Sequence, residues 1–129
     1  MYTFDDLKSI TARLYGPGGC PWDSVQTYES LKPCILSEAQ ETVEAVDHQD
    51  MENLCEELGD VLYQVLLYSE IARSRGDFTL EEVIDGITRK MIRRHPNVFG
   101  DAKAVTPEES LALWNEIKRQ EKQEKGKKP

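Results

Sequence analysis

The sequence predicts an all-α fold, an antiparallel bundle of about four to five helices. Apolar residues recur at three- and four-residue spacing through several long stretches. Each stretch is bounded by capping or breaking residues, and nothing alternates with period two over a useful length.

The first helix is predicted to start at Thr3, with Asp6 as a capping-box variant and Phe4, Leu7, Ile10 and Leu14 along one face. Gly16-Pro17-Gly18-Gly19 stops it. A loop through Cys20-Pro21-Trp22-Asp23 leads to Thr27, a cap for a second helix over Tyr28 to Asp47. Pro33 inside that stretch predicts a kink, or a fresh start with proline in the first turn. A third helix runs from Asp50 to Arg75 and is closed by Gly76. The fourth opens on Thr79-Leu80-Glu81-Glu82 and ends at Arg94, before His95-Pro96. Thr106-Pro107-Glu108-Glu109 opens a fifth. One domain is expected over residues 1–122, followed by a charged, frayed tail over 123–129.

The net charge of −8, from 24 acids and 16 bases, argues against a general nucleic-acid binder, which needs a basic face. Apolar runs such as Val65-Leu66-Leu67 are too short for a membrane span. Met1 to Lys8 lacks the apolar centre of a signal peptide, so a cytoplasmic location is expected. The three cysteines form no C-x-x-C pair, and Cys34 and Cys55 are expected to be small buried residues.

Two acidic pairs stand out. Glu38 and Glu41 are three apart on the second helix, and Glu57 and Asp60 three apart on the third. A short connection at Asp47–Asp50 makes those helices antiparallel and can bring the pairs face to face. At about 100° per residue, Glu56, Gly59, Tyr63 and Glu70 fall on an expected solvent stripe. Leu54, Leu58, Val61, Leu62, Val65 and Leu66 fall on the opposite side. Glu57 and Asp60 continue instead into Gln64, Leu67 and Ile71, a flank expected to be covered. Covered carboxylates repel one another and lose hydration. No lysine or arginine lies between Glu38 and Leu67, so a bound cation is the expected compensation. Oxygen ligands favour magnesium or manganese. A di-iron centre would need Glu-x-x-His motifs, which are absent.

A basic group sits at the end of the fourth helix: Lys90 and Arg94, with Arg93 and His95. In the fifth, Trp114 and Lys118 are four apart. Cations neutralise phosphate oxygens and an aromatic face can stack on a base, so these residues suit a nucleotide. The alternatives are a favourable helix dipole for the cations and a core role for Trp114.

Gly19-Cys20-Pro21-Trp22-Asp23 with Gln26-Thr27, Ser30-Leu31-Lys32-Pro33, Glu57-Leu58-Gly59-Asp60, Arg93 through Gly100, and Trp114 through Lys118 resemble the ordered motifs of MazG-type nucleoside triphosphate pyrophosphohydrolases. The resemblance spans about Phe4 to Lys122. It implies an all-α enzyme, assembled as a homodimer or homotetramer. Such an enzyme uses magnesium to hydrolyse a nucleoside or deoxynucleoside triphosphate to the monophosphate and pyrophosphate by water attack at the α-phosphorus. It further implies that Glu38, Glu41, Glu57 and Asp60 are metal ligands, and that Glu38 or Glu41 acts as general base. Lys90, Arg94 and Lys118 resemble phosphate-contacting cations, and Trp114 a base-stacking residue. The family pattern E-E-x-x-E has Ser37 at its first position here. The alternatives are a non-catalytic magnesium–nucleotide-binding or oligomerisation domain, or an enzyme like phosphoribosyl-ATP pyrophosphohydrolase.

Overall fold

The computed structural model describes residues 1–127; the last two positions of the expected tail lie outside the described residues. Among the described residues the chain is all-α, with no strand. The helices are α1 (Phe4–Tyr15), α2 (Lys32–Asp47), α3 (Met51–Arg75), α4 (Leu80–Arg94), α5 (Pro96–Phe99) and α6 (Pro107–Lys127), with a 3-10 turn at Asp23–Val25. None of them is long and apolar enough to cross a membrane. Two compact units divide the chain, Met1–Leu80 and the residues from Glu81 onward.

In the first unit, the capping box at α1 forms as expected. The Asp6 amide donates to Thr3 Oγ1 at 3.2 Å, and the Thr3 amide donates to Asp6 Oδ2 at 2.8 Å. After α1 the chain doubles back so closely that a Cβ on Gly19 would run into the carbonyl oxygens of Arg13 and Leu14. The Cys20 amide is thereby placed to donate to the Leu14 carbonyl at 2.8 Å.

Thr27 and Ser30 bond reciprocally, but only one turn follows. α2 begins afresh at Lys32, with Pro33 in its first turn, where a missing N–H costs nothing. The Asp50 carboxylate caps α3 by accepting from the Asn53 amide at 3.2 Å. Gly76 closes it at φ 76°, a left-handed conformation that suits glycine.

α3 packs against both α2 and α1. The core is Leu31, Leu67 and Ile71, all fully buried, with Tyr15, Tyr28, Cys34, Tyr63 and Tyr68 packed around them. Burying each such aliphatic side chain stabilises the fold by about 1.5–3 kcal/mol. The tyrosines enter this core because their hydroxyls find partners. Tyr68 donates to the Tyr28 carbonyl at 3.0 Å, and Tyr28 to Asp77 at 2.6 Å.

Because α3 is covered on two sides, its faces differ from the single-stripe expectation. Glu70, placed by periodicity on the solvent face, is 8% exposed and bonded to Arg73 at 2.8 Å, and Tyr63 is half-buried. Leu58 and Leu62, expected on the packed side, are 53% and 39% exposed. Gln64, Leu67 and Ile71 are buried as expected, while Asp60 is exposed. Cys34 is only half-buried and Cys55 is exposed, so Cys55 is not the small buried residue expected.

In the second unit, Pro96 starts the short α5, a helix beyond the five that the capping and breaking residues predict. Thr106 caps α6 by accepting from the Glu109 amide at 3.2 Å, and the Glu109 carboxylate accepts from the Val105 amide at 2.9 Å. α6 continues to Lys127, past residue 122.

Asp23 ties the turn after α1 to α3. It is 8% exposed and accepts from the Tyr63 hydroxyl at 3.1 Å. Burial first, and then the neighbouring Asp23 charge and hydrogen bond, push the Tyr63 hydroxyl up to about 12. Tyr63→Phe should therefore leave Asp23 short of a donor and lower stability by about 1–3 kcal/mol in urea unfolding. An unchanged midpoint would mean that this bond does not hold the turn.

Candidate metal centre

The tight connection at residues 48–50 reverses the chain, so α2 and α3 run antiparallel and juxtapose their acids. One carboxylate oxygen each from Glu38, Glu41 and Glu57 lies within 4.8 Å of the others. Glu57 is 9% exposed, Glu38 is half-buried and Glu41 faces solvent. Asp60 stands outside this group of three, on the exposed side, although its charge still acts on both Glu38 and Glu57. Three of the four acids expected from the sequence are thus brought together, with the fourth at the margin.

The electrostatics are those of acids without a counter-charge. Burial pushes the Glu38 carboxyl up from its ordinary value, and the negative charge of Asp60 adds to it. Glu57 rises to about 7, again chiefly by burial, then through its hydrogen bond to Glu41 and the surrounding carboxylates. Glu38 Oε2 and Glu57 Oε2 are buried and accept no hydrogen bond among the described residues. Convergent anionic oxygens with unused lone pairs form a donor set for a hard divalent cation.

The other expected site residues lie in the second unit. Arg94 is 12% exposed at its side chain; its Nη2 donates to Glu121 Oε1 at 2.9 Å, and its guanidinium lies 4.8 Å from the centre of the Trp114 ring. His95 tilts against the same ring at 5.4 Å and is held by a 2.6 Å contact between Nδ1 and the Met91 carbonyl. Arg93 reaches the other Glu121 oxygen at 2.7 Å. The two arginines hold the Glu121 carboxyl down at about 2. Lys90 lines a recess of about 300 Å³ with Arg93, Arg94 and Glu121, and Lys118 is exposed on α6. Sequence reasoning missed Glu121. Its 27-residue separation from Arg94 leaves no periodic signal, and only the folding of α6 against α4 reveals it.

Residues 26–99 match the MazG family, described as the MazG nucleotide pyrophosphohydrolase domain. The chain is 49% identical over 122 residues to the nucleoside triphosphate pyrophosphohydrolase/pyrophosphatase MazG of Thermotoga maritima, a match covering 95% of this chain and 46% of that protein. It is 40% identical over 126 residues to the nucleoside triphosphate pyrophosphohydrolase of Escherichia coli K12, covering 97% of this chain and 48% of that one. The chain spans less than half the length of these two curated relatives. The crystal structure of a mazG-related protein from Thermotoga maritima superposes with a TM-score of 0.75 at 33% identity, covering 89% of this chain and 98% of that one.

The raised Glu57 carboxyl makes stability depend on pH. The folded chain keeps this proton up to about 7, whereas an unfolded glutamate releases it near about 4.3. The stabilisation is fully present below the unfolded value and is lost as pH rises through the folded one. In EDTA, Glu57→Gln should gain in melting temperature relative to the parent as pH rises from 5 to 8. A constant difference across that range would show that Glu57 titrates normally.

Proposed function

Because the chain belongs to the MazG nucleotide pyrophosphohydrolase family, we propose that it is a magnesium-dependent hydrolase splitting a nucleoside or deoxynucleoside triphosphate into the monophosphate and pyrophosphate. The observation that carries this reading is the group of Glu38, Glu41 and Glu57 oxygens within 4.8 Å, two of these residues each having a buried oxygen without a donor. Relatives bearing the name nucleoside triphosphate pyrophosphohydrolase support it.

Glu38, Glu41 and Glu57, with Asp60 at the margin, would hold magnesium, or manganese in its place. When bound, the cation supplies positive charge to the phosphate oxygens and acidity to a coordinated water. Glu41, exposed and next to the buried pair, or Glu38 accepts the proton of the water that attacks the α-phosphorus. In the second unit, Lys90, Arg94 and Lys118 take up charge on the departing pyrophosphate. Arg94 does so by exchanging the Glu121 carboxylate for phosphate oxygens, since both fit its planar fork. Trp114 offers its ring to the base.

Ser37 favours one second reading, a domain that binds magnesium and nucleotide without turning it over, because an acid of the family pattern is missing beside Glu38. Pyrophosphate release decides between the two. A panel of nucleoside triphosphates with magnesium should yield pyrophosphate from the parent chain. Glu57→Ala with Asp60→Ala should abolish this while circular dichroism stays helical; turnover by the double variant would remove these residues from the reaction.

The same reading makes the working form a homodimer or homotetramer in the cytoplasm. Leu36, Leu58 and Leu62 are 72%, 53% and 39% exposed on α2 and α3, an arrangement that favours burial against a second copy. Leu58→Glu with Leu62→Glu should shift the molar mass in light scattering to that of a single chain. An unchanged mass would place the assembly surface elsewhere.

A further inference from the structure

Besides Glu38 Oε2 and Glu57 Oε2, a third buried acceptor in the first unit has no donor among the described residues, Gln64 Oε1. Gln64 is 8% exposed, so bulk solvent does not complete this oxygen. It lies seven residues beyond Glu57 and four beyond Asp60 on α3. At about 100° per residue all three share one flank. Helical side chains lean toward the helix N-terminus, the direction in which Asp60 and Glu57 lie from Gln64. Residues four apart bring their Cβ atoms to about 6 Å, within reach of a shared hydration shell.

All three unpartnered atoms are acceptors, and this narrows what completes them. Phosphate offers no donor. The stretch from Glu38 to Leu67 contains no lysine or arginine. A hydrated divalent cation meets both needs, taking carboxylates directly and turning water O–H donors outward. Magnesium keeps such waters readily. We propose that Gln64 is a positioning residue of the metal centre, its Oε1 accepting a hydrogen bond from a water in the shell of the cation held by Glu38, Glu41 and Glu57. This rests on the magnesium reading above and adds to it a group that fixes where that shell sits.

The test is calorimetric titration of the intact chain with magnesium or manganese alone, beside thermal unfolding in EDTA. Gln64→Leu should weaken cation binding about 10- to 100-fold, as loss of such supporting partners does. Its melting temperature in EDTA should hold or rise, because an apolar side chain replaces an unpartnered acceptor. Gln64→Glu, which keeps the acceptor, should retain binding. If Gln64→Leu fails to fold, Gln64→Met provides the apolar replacement. Cation affinity equal to the parent's in the apolar variant overturns the inference, even if KM for nucleotides changes, since Gln64 would then contact the nucleoside. Equal losses in Gln64→Leu and Gln64→Glu, accompanied by lower melting temperatures in EDTA, also overturn it and mark a packing role. A parent chain that binds no cation removes the magnesium reading together with this one. A parent that binds tightly while Gln64→Leu binds equally well removes this one alone.

Discussion

Glu38 and Glu57 bring carboxylate oxygens inside a helical unit where α2 and α3 offer them no lysine or arginine between Glu38 and Leu67. Like charges at that spacing oppose folding, and burial removes the water that would screen them. The surrounding structure holds them there regardless. The connection at residues 48–50 fixes the antiparallel pairing, and Leu31, Leu67 and Ile71 lock α3 into the core. The result is a site whose uncompensated charge is stored by packing elsewhere. A cation that binds the folded chain and not the unfolded one stabilises it by linkage.

The second unit handles charge in the opposite way. Two arginines converge on Glu121, so Arg93 and Arg94 already have a partner, and Lys90 lines the recess beside them. Arg94 is also sandwiched by geometry: its fork faces Glu121 while its plane lies over Trp114.

Packing on two flanks explains why α3 does not follow a simple amphipathic stripe. α3 packs against both α1 and α2, and Leu58 and Leu62 still stay 53% and 39% exposed. A helix of 25 residues that meets two neighbours needs more than one apolar face, and one chain does not cover all of them.

Helix positions were legible in the sequence because caps and breakers act locally: Thr3 with Asp6, Asp50, Gly76 and Pro107 each govern only a few residues. Pro33 left two outcomes open, and the bonds of Thr27 and Ser30 resolved them by ending one turn before α2 begins. The acidic pairs were legible too, since their spacing and the lack of nearby cations are properties of the chain alone. The depth of each acid was not. Glu57 is buried and Asp60 exposed although they are three residues apart on one helix. The exposure of Cys55, the solvent face of Leu58, the unpartnered oxygen of Gln64 and the grip of Glu121 on Arg94 were likewise decided by tertiary structure. Periodicity fixes the direction in which a side chain leaves its helix. Which neighbour lies in that direction depends on contacts between residues far apart in sequence, and those exist only once the helices have packed.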